Sequence, residues 1–229
     1  MAFTLSDVVP WGRTFEEYRA MFALSDEDLA KRILGCGDGP AAFNAVATEK
    51  GYQVASADPL YQFSAEEIEA RIQQTALTVA EQMRRNASEF VWTHFQSVDD
   101  LITARMTAMS RFLADYSQGT ADGRYVAASL PELPFAEKAF DLALCSHFLF
   151  LYSAQYDMKF HVKSIIELSR TASEVRIFPL LELGARPSRH LPAVMDSLAS
   201  AGLDVTVVPV PYEFQKGGNE MLRVSAQSG

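Results

Sequence analysis

Short apolar runs alternate with longer amphipathic stretches along the chain, a pattern typical of an α/β domain. An apolar strand is predicted to end at Leu34, before a glycine-rich turn (35–39) and a helix over 40–50. A second strand over 52–57 follows and ends on Asp58. A strand–turn–helix–strand unit of this kind presents backbone amides and a helix N-terminus to a ligand, with a carboxylate at the second strand end for a ribose.

Two residues set the predicted limits of that first long helix. Pro40 suits the first helical position, where its missing N–H leaves no donor unsatisfied. Gly51 falls where a left-handed residue ends many helices. We therefore expect the glycine-rich turn to lead directly into the helix.

Residues 1–30 are predicted to form two N-terminal helices. Thr14 and Glu17 have the spacing of a capping box, and a second short helix begins at Ser25. Apolar residues after Thr14 share one helical face: Phe15, Tyr18, Met21 and Phe22.

A helical insertion is predicted over about 62–120, between the second and third strands. Its two amphipathic helices begin at Ser64 and Ser97, and Gly119 and Gly123 are expected to end the second. Such an insertion lies near the carboxyl ends of the strands, where ligands of α/β proteins bind. It is predicted either to close over a substrate or to form a dimer surface.

Four ring-bearing side chains lie in the connection between these two helices: Phe90, Trp92, His94 and Phe95. They are candidates for an aromatic pocket wall. The alternative is that they hold the two helices together.

The rest of the chain completes a predicted sheet of seven strands. After a strand ending near 147, a helix over 157–169, a strand over 174–180 and a helix from about 187 are expected. The last two strands are joined through a glycine hairpin at 216–219. His161 and His190 are expected on helices, facing solvent.

The glycines of the turn have the spacing G-x-G-x-G, at positions 35, 37 and 39. A dinucleotide fingerprint requires G-x-G-x-x-G, and here Pro40 occupies the sixth position. Asp38 inside the loop would repel a pyrophosphate but tolerate a cationic ligand. No Lys-Ser or Lys-Thr follows, which excludes a nucleoside-triphosphate P-loop.

This turn resembles motif I of the class I S-adenosylmethionine-dependent methyltransferases, usually Asp-x-Gly-x-Gly-x-Gly. Residues 125–147 resemble the acidic-loop and motif IV region of that family, with Leu-Pro-Phe followed by Phe-Asp and an apolar strand. The resemblance implies a single α/β domain over 1–229 with the Rossmann-like class I methyltransferase fold. That fold has a seven-stranded sheet, mostly parallel with one antiparallel strand, and helices on both faces, here with the helical insertion.

The resemblance also implies which residues bind S-adenosylmethionine. Ser129 and Leu130 would flank the adenine, Ser146 and His147 would face the sulfonium and the substrate, and Arg13 and Tyr18 would touch the carboxylate. The full predicted cofactor set is Gly35, Cys36, Gly37, Asp38, Gly39, Asp58, Pro59, Ser129, Leu130, Ser146 and His147.

The chain departs from the family pattern at two positions. Ile33 stands where an acid usually precedes the first glycine by two residues, and Ser129 stands where an aspartate often receives the adenine amino group. Asp38 is a candidate replacement for the first acid. Each lost partner would weaken cofactor binding by about 1–3 kcal/mol if the donor of the cofactor stays unpaired.

A general base is needed only if the methyl acceptor must lose a proton. The candidates near the expected site are His147, Tyr152 and, from the insertion, His94. The alternative for His147 is a hydrogen-bonded structural role at the strand end. No spacing of histidine, cysteine or carboxylate residues indicates a metal site.

Composition narrows the partners. The net charge of −9 disfavours nucleic acid as methyl acceptor and favours a small molecule or a basic protein. No apolar run approaches the roughly 18 residues of a membrane span, and residues 1–30 lack the features of a signal peptide. With two cysteines predicted to be free thiols, we expect a cytoplasmic protein, with a homodimer through the insertion as a possible assembly.

Three functions compete at this point. The first is an S-adenosylmethionine-dependent methyltransferase with a small-molecule acceptor. The second is a non-catalytic or regulatory protein that binds S-adenosylmethionine or S-adenosylhomocysteine on a degenerate methyltransferase fold, which Ile33 and Ser129 would mark. The third is a nicotinamide-dependent oxidoreductase, which Pro40 and Asp38 disfavour.

Overall fold

The computed structural model describes residues 9–227 of the 229-residue chain. Seven strands form the central sheet: β1 (Arg32–Cys36), β2 (Gln53–Ala57), β3 (Tyr125–Val126), β4 (Phe140–Ser146), β5 (Ala172–Phe178), β8 (Leu203–Pro209) and β9 (Glu220–Ala226). Their order is β3-β2-β1-β4-β5-β9-β8, and β9 runs antiparallel to both of its neighbours. The predicted fold class is therefore confirmed. A separate small hairpin of β6 (Leu181–Glu182) and β7 (Arg186–Pro187) was not predicted.

Helices cover both faces of the sheet: α1 (Phe15–Met21), α2 (Asp26–Leu29), α3 (Phe43–Glu49), α4 (Ala65–Arg85), α5 (Val98–Ala121), α6 (Met158–Thr171) and α7 (Leu191–Ser200). Alternate side chains of β4 enter two separate cores. Leu142 and Leu144 pack with residues of α1 to α5, whereas Ala143 and Cys145 pack with residues of α6 and α7. Strand alternation thus produces the two-sided core.

The element ends differ from the prediction at the glycine-rich turn. β1 continues beyond Leu34, because Gly35 and Cys36 still pair with β4. The following helix begins at Phe43, so Pro40 is not at its first position. The reason is that the N–H of Ala42 donates to the carbonyl of Arg13 (3.0 Å), which keeps the turn extended under the N-terminal segment.

The helical insertion lies between β2 and β3, as predicted. Ser64 and Ser97 cap its two helices by accepting hydrogen bonds from the backbone N–H three residues later. Gly119 does not end α5 but lies inside it. Glycine is required there because a Cβ would lie 2.4 Å from the ring of Tyr125. Gly123, with φ +75°, follows the end of the helix.

Cys36 and Cys145 are directly paired in register at the ends of β1 and β4, and both are buried free thiols, as predicted. Within residues 9–227, no group of three or more histidine, cysteine or acidic residues is arranged to bind a metal ion. None of the helices in that range is long and apolar enough to cross a membrane.

Candidate active site

A cavity of about 690 Å³ opens at the carboxyl ends of β1, β2 and β4, with α4 on one side. Most of the predicted cofactor residues line it: Cys36, Gly37, Asp38, Gly39, Asp58, Pro59, Ser129, Leu130, Ser146 and His147. Tyr152, a candidate base, also lines it. Gly35 does not line it and lies beneath the turn, where the carboxylate of Asp38 covers it.

The turn needs glycine at Gly37 for two reasons. Its φ of +68° is costly for any residue with a Cβ. In addition, a Cβ there would lie 2.9 Å from the Cβ of Phe148. The N–H of Gly37 donates to the carbonyl of Ala57 (2.9 Å), which fixes the turn against the end of β2.

Asp58 joins the end of β2 to this turn. One carboxylate oxygen accepts from the N–H of Gly39 and the other from the N–H of Leu60, each at 2.8 Å. Burial raises the pKa of Asp58. Each carboxylate oxygen has two acceptor positions. Both oxygens therefore keep acceptor capacity for a ligand hydroxyl.

Asp38 turns inward and lies under the turn. Its two oxygens accept from the hydroxyls of Tyr18 and Ser56, both at 2.8 Å, and it is 7% exposed. Its carboxylate lies 1.8 Å from where a Cβ of Gly35 would be, so only glycine fits at position 35. Ile33, at the position where the family usually has an acid, is fully buried in the core. Asp38 nevertheless provides a carboxyl group under the turn. Burial, the largest effect, raises the pKa of Asp38 to about 7.

The segment 11–13 crosses the turn closely. A Cβ on Gly12 would lie 2.0 Å from the carbonyl oxygen of Pro40, so glycine permits this approach. Trp11 and Arg13 on either side of Gly12 both line the cavity. Sequence reasoning did not find Trp11, for which the only signal was a glycine between two large side chains.

Arg13 has no counterion among residues 9–227. One guanidinium nitrogen donates to the carbonyl of Trp11 (2.6 Å), and its buried Nε has no hydrogen-bond partner. The carboxylate of Glu17 is already occupied by Arg105 and the hydroxyl of Tyr212 (2.7 Å). Burial and then repulsion from Arg105 lower the pKa of Arg13 to about 10.

His147 follows β4 in a left-handed conformation (φ +51°), which is unfavourable for a non-glycine residue. Its N–H donates to the carbonyl of Phe178 (2.7 Å), and its Nδ1 pairs with the hydroxyl of Ser146 (3.0 Å). Burial, followed by the charges of Arg13 and Arg105, lowers the pKa of His147 well below its ordinary value. At neutral pH its imidazole is therefore neutral and able to accept a proton.

Tyr152 differs from His147 in what it can do chemically. It is buried, and its hydroxyl accepts from the N–H of Val9 (3.4 Å). Burial raises the pKa of Tyr152 above its ordinary value. It is therefore protonated at neutral pH and can donate a hydrogen bond rather than remove a proton.

The aromatic residues of the insertion mainly attach it to the segment between β8 and β9. Phe90, Trp92 and Phe95 all pack on Phe214. Of the four candidates only Phe90 lines the cavity, so the predicted aromatic wall is largely wrong. His94 stacks on Tyr212 instead and does not line the cavity, which removes it as a candidate base.

His161 was expected to face solvent, and the structure places it in the core. It is fully buried on α6, where its Nδ1 lies 2.7 Å from the carbonyl of Asp157 and its ring stacks on Phe150. His190 is half-buried, with Nε2 3.0 Å from the carbonyl of Ser153. Neither lines the cavity.

The cavity wall away from the turn is mainly apolar. Its apolar side chains come from α4, from the stretch after β4 and from the loops beside the sheet: Phe63, Ile68, Val79, Met83, Leu151, Tyr156, Phe160, Leu183 and Phe214. Polar side chains also line this part of the cavity: Gln62, Glu67, Arg71 and Gln215. Ligand pockets typically have volumes of about 300–1,000 Å³, and the volume of this cavity lies within that range.

Comparison with known proteins gives a clear relative in sequence. No family model matches the chain. The sequence is 33% identical over 219 residues to the uncharacterized protein MJ0045 of Methanocaldococcus jannaschii, covering 95% of this chain and 96% of that protein.

Solved structures with a similar outline are more distant in sequence. Magnesium protoporphyrin IX methyltransferase (ChlM) from Synechocystis PCC 6803, with bound SAM, has a TM-score of 0.49 at 12% identity, covering 93% of this chain and 78% of that chain. The PH0226 protein from Pyrococcus horikoshii OT3 has a TM-score of 0.49 at 8% identity, covering 93% and 91%.

The strand order is what defines the fold here. A seven-stranded sheet ordered β3-β2-β1-β4-β5-β9-β8, with only β9 antiparallel, is the arrangement of the class I methyltransferases. The strand order thus gives the chain the class I methyltransferase fold, and the sequence match to MJ0045 shows that the chain belongs to the family that contains that archaeal protein.

Proposed function

We propose that this protein is an S-adenosylmethionine-dependent methyltransferase that acts on a small molecule. The observation that carries the proposal is the position of Asp58. Asp58 lies at the end of β2, where its carboxylate accepts a hydrogen bond from the N–H of Gly39 (2.8 Å). It lines the same cavity as Ser129 and His147. A ribose acceptor, a glycine-rich turn and an adenine-flanking loop thus share one site.

The residues of the site fit this cofactor better than a phosphate-bearing one. Asp38 and Asp58 place two carboxyl groups at the turn, and no lysine or arginine lies within the turn itself. Carboxylates repel phosphates and attract cations. When bound, the cofactor would supply an electrophilic methyl group: a bond from the acceptor to the methyl carbon would form as the carbon–sulfur bond breaks, and its electron pair would stay on sulfur as a neutral thioether.

His147 is the residue we assign to proton removal, where the acceptor carries a proton. Its imidazole is neutral, its Nδ1 is held by Ser146, and its Nε2 has no hydrogen-bond partner among residues 9–227. The nearby charges of Arg13 and Arg105 oppose formation of an imidazolium. This arrangement suits an acceptor that is acidic or that ionises readily.

The proposal includes a small acceptor and a reducing compartment. The acidic balance of the chain, a net charge of −9, disfavours a nucleic-acid acceptor. The two buried free thiols, Cys36 and Cys145, are consistent with the cytoplasm. Association of two copies through α4 and α5 stays a prediction, for which analytical ultracentrifugation is the direct measurement.

The test is transfer of label from methyl-labelled S-adenosylmethionine to small-molecule, protein and nucleic-acid fractions of a cell extract. We expect label in the small-molecule fraction with the wild type and none with His147→Asn where the acceptor must lose a proton. If S-adenosylhomocysteine binds but no fraction accepts label, the non-catalytic alternative replaces this proposal.

A further inference from the structure

We propose that the methyl acceptor is an apolar acid, a small hydrophobic molecule with one anionic oxygen group, and that Arg13 and the indole N–H of Trp11 bind that group. The inference rests on the proposed methyltransferase function. It deepens that function by naming the chemical class of the acceptor.

The first observation is a pair of unused donors on two residues that line the cavity, Trp11 and Arg13. Trp11 is 9% exposed, and its indole nitrogen is buried with no hydrogen-bond partner among residues 9–227. The Nε of Arg13 is in the same condition. Buried donors are usually paired in folded proteins, so two neighbouring unpaired donors on residues that line a cavity are available to a ligand acceptor after a small side-chain movement.

The second observation is that Arg13 forms no direct ion pair among residues 9–227, although Glu17 attracts it from a distance. Its only hydrogen bond among residues 9–227 goes to a neutral carbonyl, that of Trp11. Glu17 does not serve as its partner, since that carboxylate is bound by Arg105, Tyr212 and Thr14. Arg13 is half-buried, and a partly desolvated cation without a direct ion pair is stabilised by an anionic ligand.

Neighbouring groups strengthen the preference for an anion. Arg105 is fully buried and adds a second positive charge near Arg13. Glu17 carries one negative charge, so it balances only one of the two arginines. His147 stays neutral and Tyr152 stays protonated, so neither brings a negative charge to this wall. Arg13, Arg105 and Glu17 together carry two positive charges and one negative charge, and the carboxyl groups of Asp38 and Asp58 lie on the turn side of the cavity.

The remaining cavity wall defines the body of the acceptor. Beyond the turn it is built from apolar and aromatic side chains, among them Ile68 and Met83 of α4 and Phe160 of α6. Such a wall favours a hydrophobic body and offers few polar partners. Two arginines line the cavity, and we assign the charged group to Arg13 because it is half-buried beside the turn, whereas Arg71 is exposed on α4.

A carboxylate at Arg13 has a second possible source, namely the amino-acid end of the cofactor. The experiment separates the two by titrating 2-naphthoate and its neutral analogue 2-naphthamide into protein saturated with S-adenosylhomocysteine, by calorimetry. The variants are Arg13→Gln, Trp11→Phe and, as the matched control, Arg71→Gln, since Arg71 also lines the cavity but is exposed on α4.

We expect 2-naphthoate to bind the saturated wild type at least about tenfold more tightly than 2-naphthamide, and Arg13→Gln to abolish this preference. Trp11→Phe should weaken 2-naphthoate several-fold, and Arg71→Gln should change it by less than twofold. S-adenosylhomocysteine should bind Arg13→Gln within about threefold of wild type. Trp11→Phe keeps the test valid if Arg13→Gln does not fold.

Two results overturn the inference while leaving the methyltransferase proposal intact. One is equal binding of acid and amide to the saturated wild type. The other is a loss of S-adenosylhomocysteine affinity in Arg13→Gln with unchanged 2-naphthoate binding, which assigns Arg13 to the cofactor. If S-adenosylhomocysteine does not bind the wild type at all, the proposed function itself fails.

Discussion

The hydroxyl of Tyr18 donates a hydrogen bond of 2.8 Å to the carboxylate of Asp38, which connects helix α1 to the glycine-rich turn. Ser56 of β2 donates to the other oxygen at the same distance. The carboxylate also fills the space above Gly35. The conformation of the turn thus depends on an N-terminal helix, and not only on its own glycines.

Asp38→Asn is expected to change how stability depends on pH. In the folded protein the pKa of Asp38 is raised from 3.8 to about 7. Between pH 3.8 and about 7, Asp38 is ionised in the unfolded chain but protonated in the folded one. The folded state is therefore favoured most below pH 4, and this contribution to stability is lost as the pH rises through about 7. Relative to Asp38→Asn, the wild type should lose up to about 1.4 kcal/mol per pH unit over this range.

Urea unfolding of both proteins from pH 5 to pH 8 measures this difference. Asp141→Asn is the matched control, because Arg32 lowers the pKa of the exposed Asp141 to about 2 and no titration falls in that window. A difference between wild type and Asp38→Asn that does not vary with pH would show that Asp38 is not protonated in the folded protein.

Gly37→Ala is expected to disrupt ligand binding, with Gly51→Ala as its control. Both glycines have positive φ (+68° and +87°), so each substitution should cost about 1–2 kcal/mol of stability. Only at Gly37 does the new Cβ meet another residue, Phe148. We expect S-adenosylhomocysteine affinity to fall more than about tenfold in Gly37→Ala alone. A displaced turn loses hydrogen bonds to the ligand, and a loss of about 1.4 kcal/mol of binding free energy already corresponds to tenfold. Equal affinities in the two variants would place the ligand away from the turn.

Asp58→Ala is expected to weaken adenosyl ligands by about 1.5–3 kcal/mol, because the lost acceptor is charged. The variant also releases the N–H groups of Gly39 and Leu60, both of which Asp58 binds. Asp58→Asn, which keeps one oxygen, should fall between wild type and Asp58→Ala. Calorimetric titration with S-adenosylhomocysteine measures all three, and a change below twofold in Asp58→Ala would move the ribose site elsewhere.

Arg105→Met is expected to destabilise the fold strongly. Arg105 on α5 forms a buried ion pair with Glu17 on α1, with side chains 1% and 8% exposed. Removing one partner leaves a buried charge, at a cost of about 3–5 kcal/mol. The control on the same helix is Arg111→Met, whose pair with Glu49 is 48% and 60% exposed and is worth about 0–1 kcal/mol. Similar losses of unfolding free energy in the two variants, measured by chemical denaturation, would mean that the buried pair contributes no more to stability than the exposed one.

Much of the fold was readable from local sequence. Capping residues such as Ser64 and Ser97 mark helix starts through a hydrogen bond within one turn, and apolar spacing defines the buried faces. The position of Asp58 followed from the strand end that carries it. These features depend on neighbours in sequence, so a single sequence is enough to find them.

The features that were missed depend on contacts between distant segments. The start of α3 is set by Arg13, whose carbonyl takes the N–H of Ala42. Gly119 was predicted to end a helix because glycine often does so. Its actual role, to make room for the ring of Tyr125, depends on a contact that forms only in the folded state. His161 on α6 looked polar and exposed, although Phe150 and the carbonyl of Asp157 hold it in the core. No local pattern reports such partners.

The most direct test of the account is isothermal titration of the wild type with S-adenosylmethionine, S-adenosylhomocysteine and, as a control, NADH. We expect micromolar binding of both adenosyl ligands and no binding of NADH, because Pro40 stands where a dinucleotide fingerprint has its third glycine and Asp38 places a carboxyl group at the turn. Binding of NADH without binding of either adenosyl ligand would contradict the central claim.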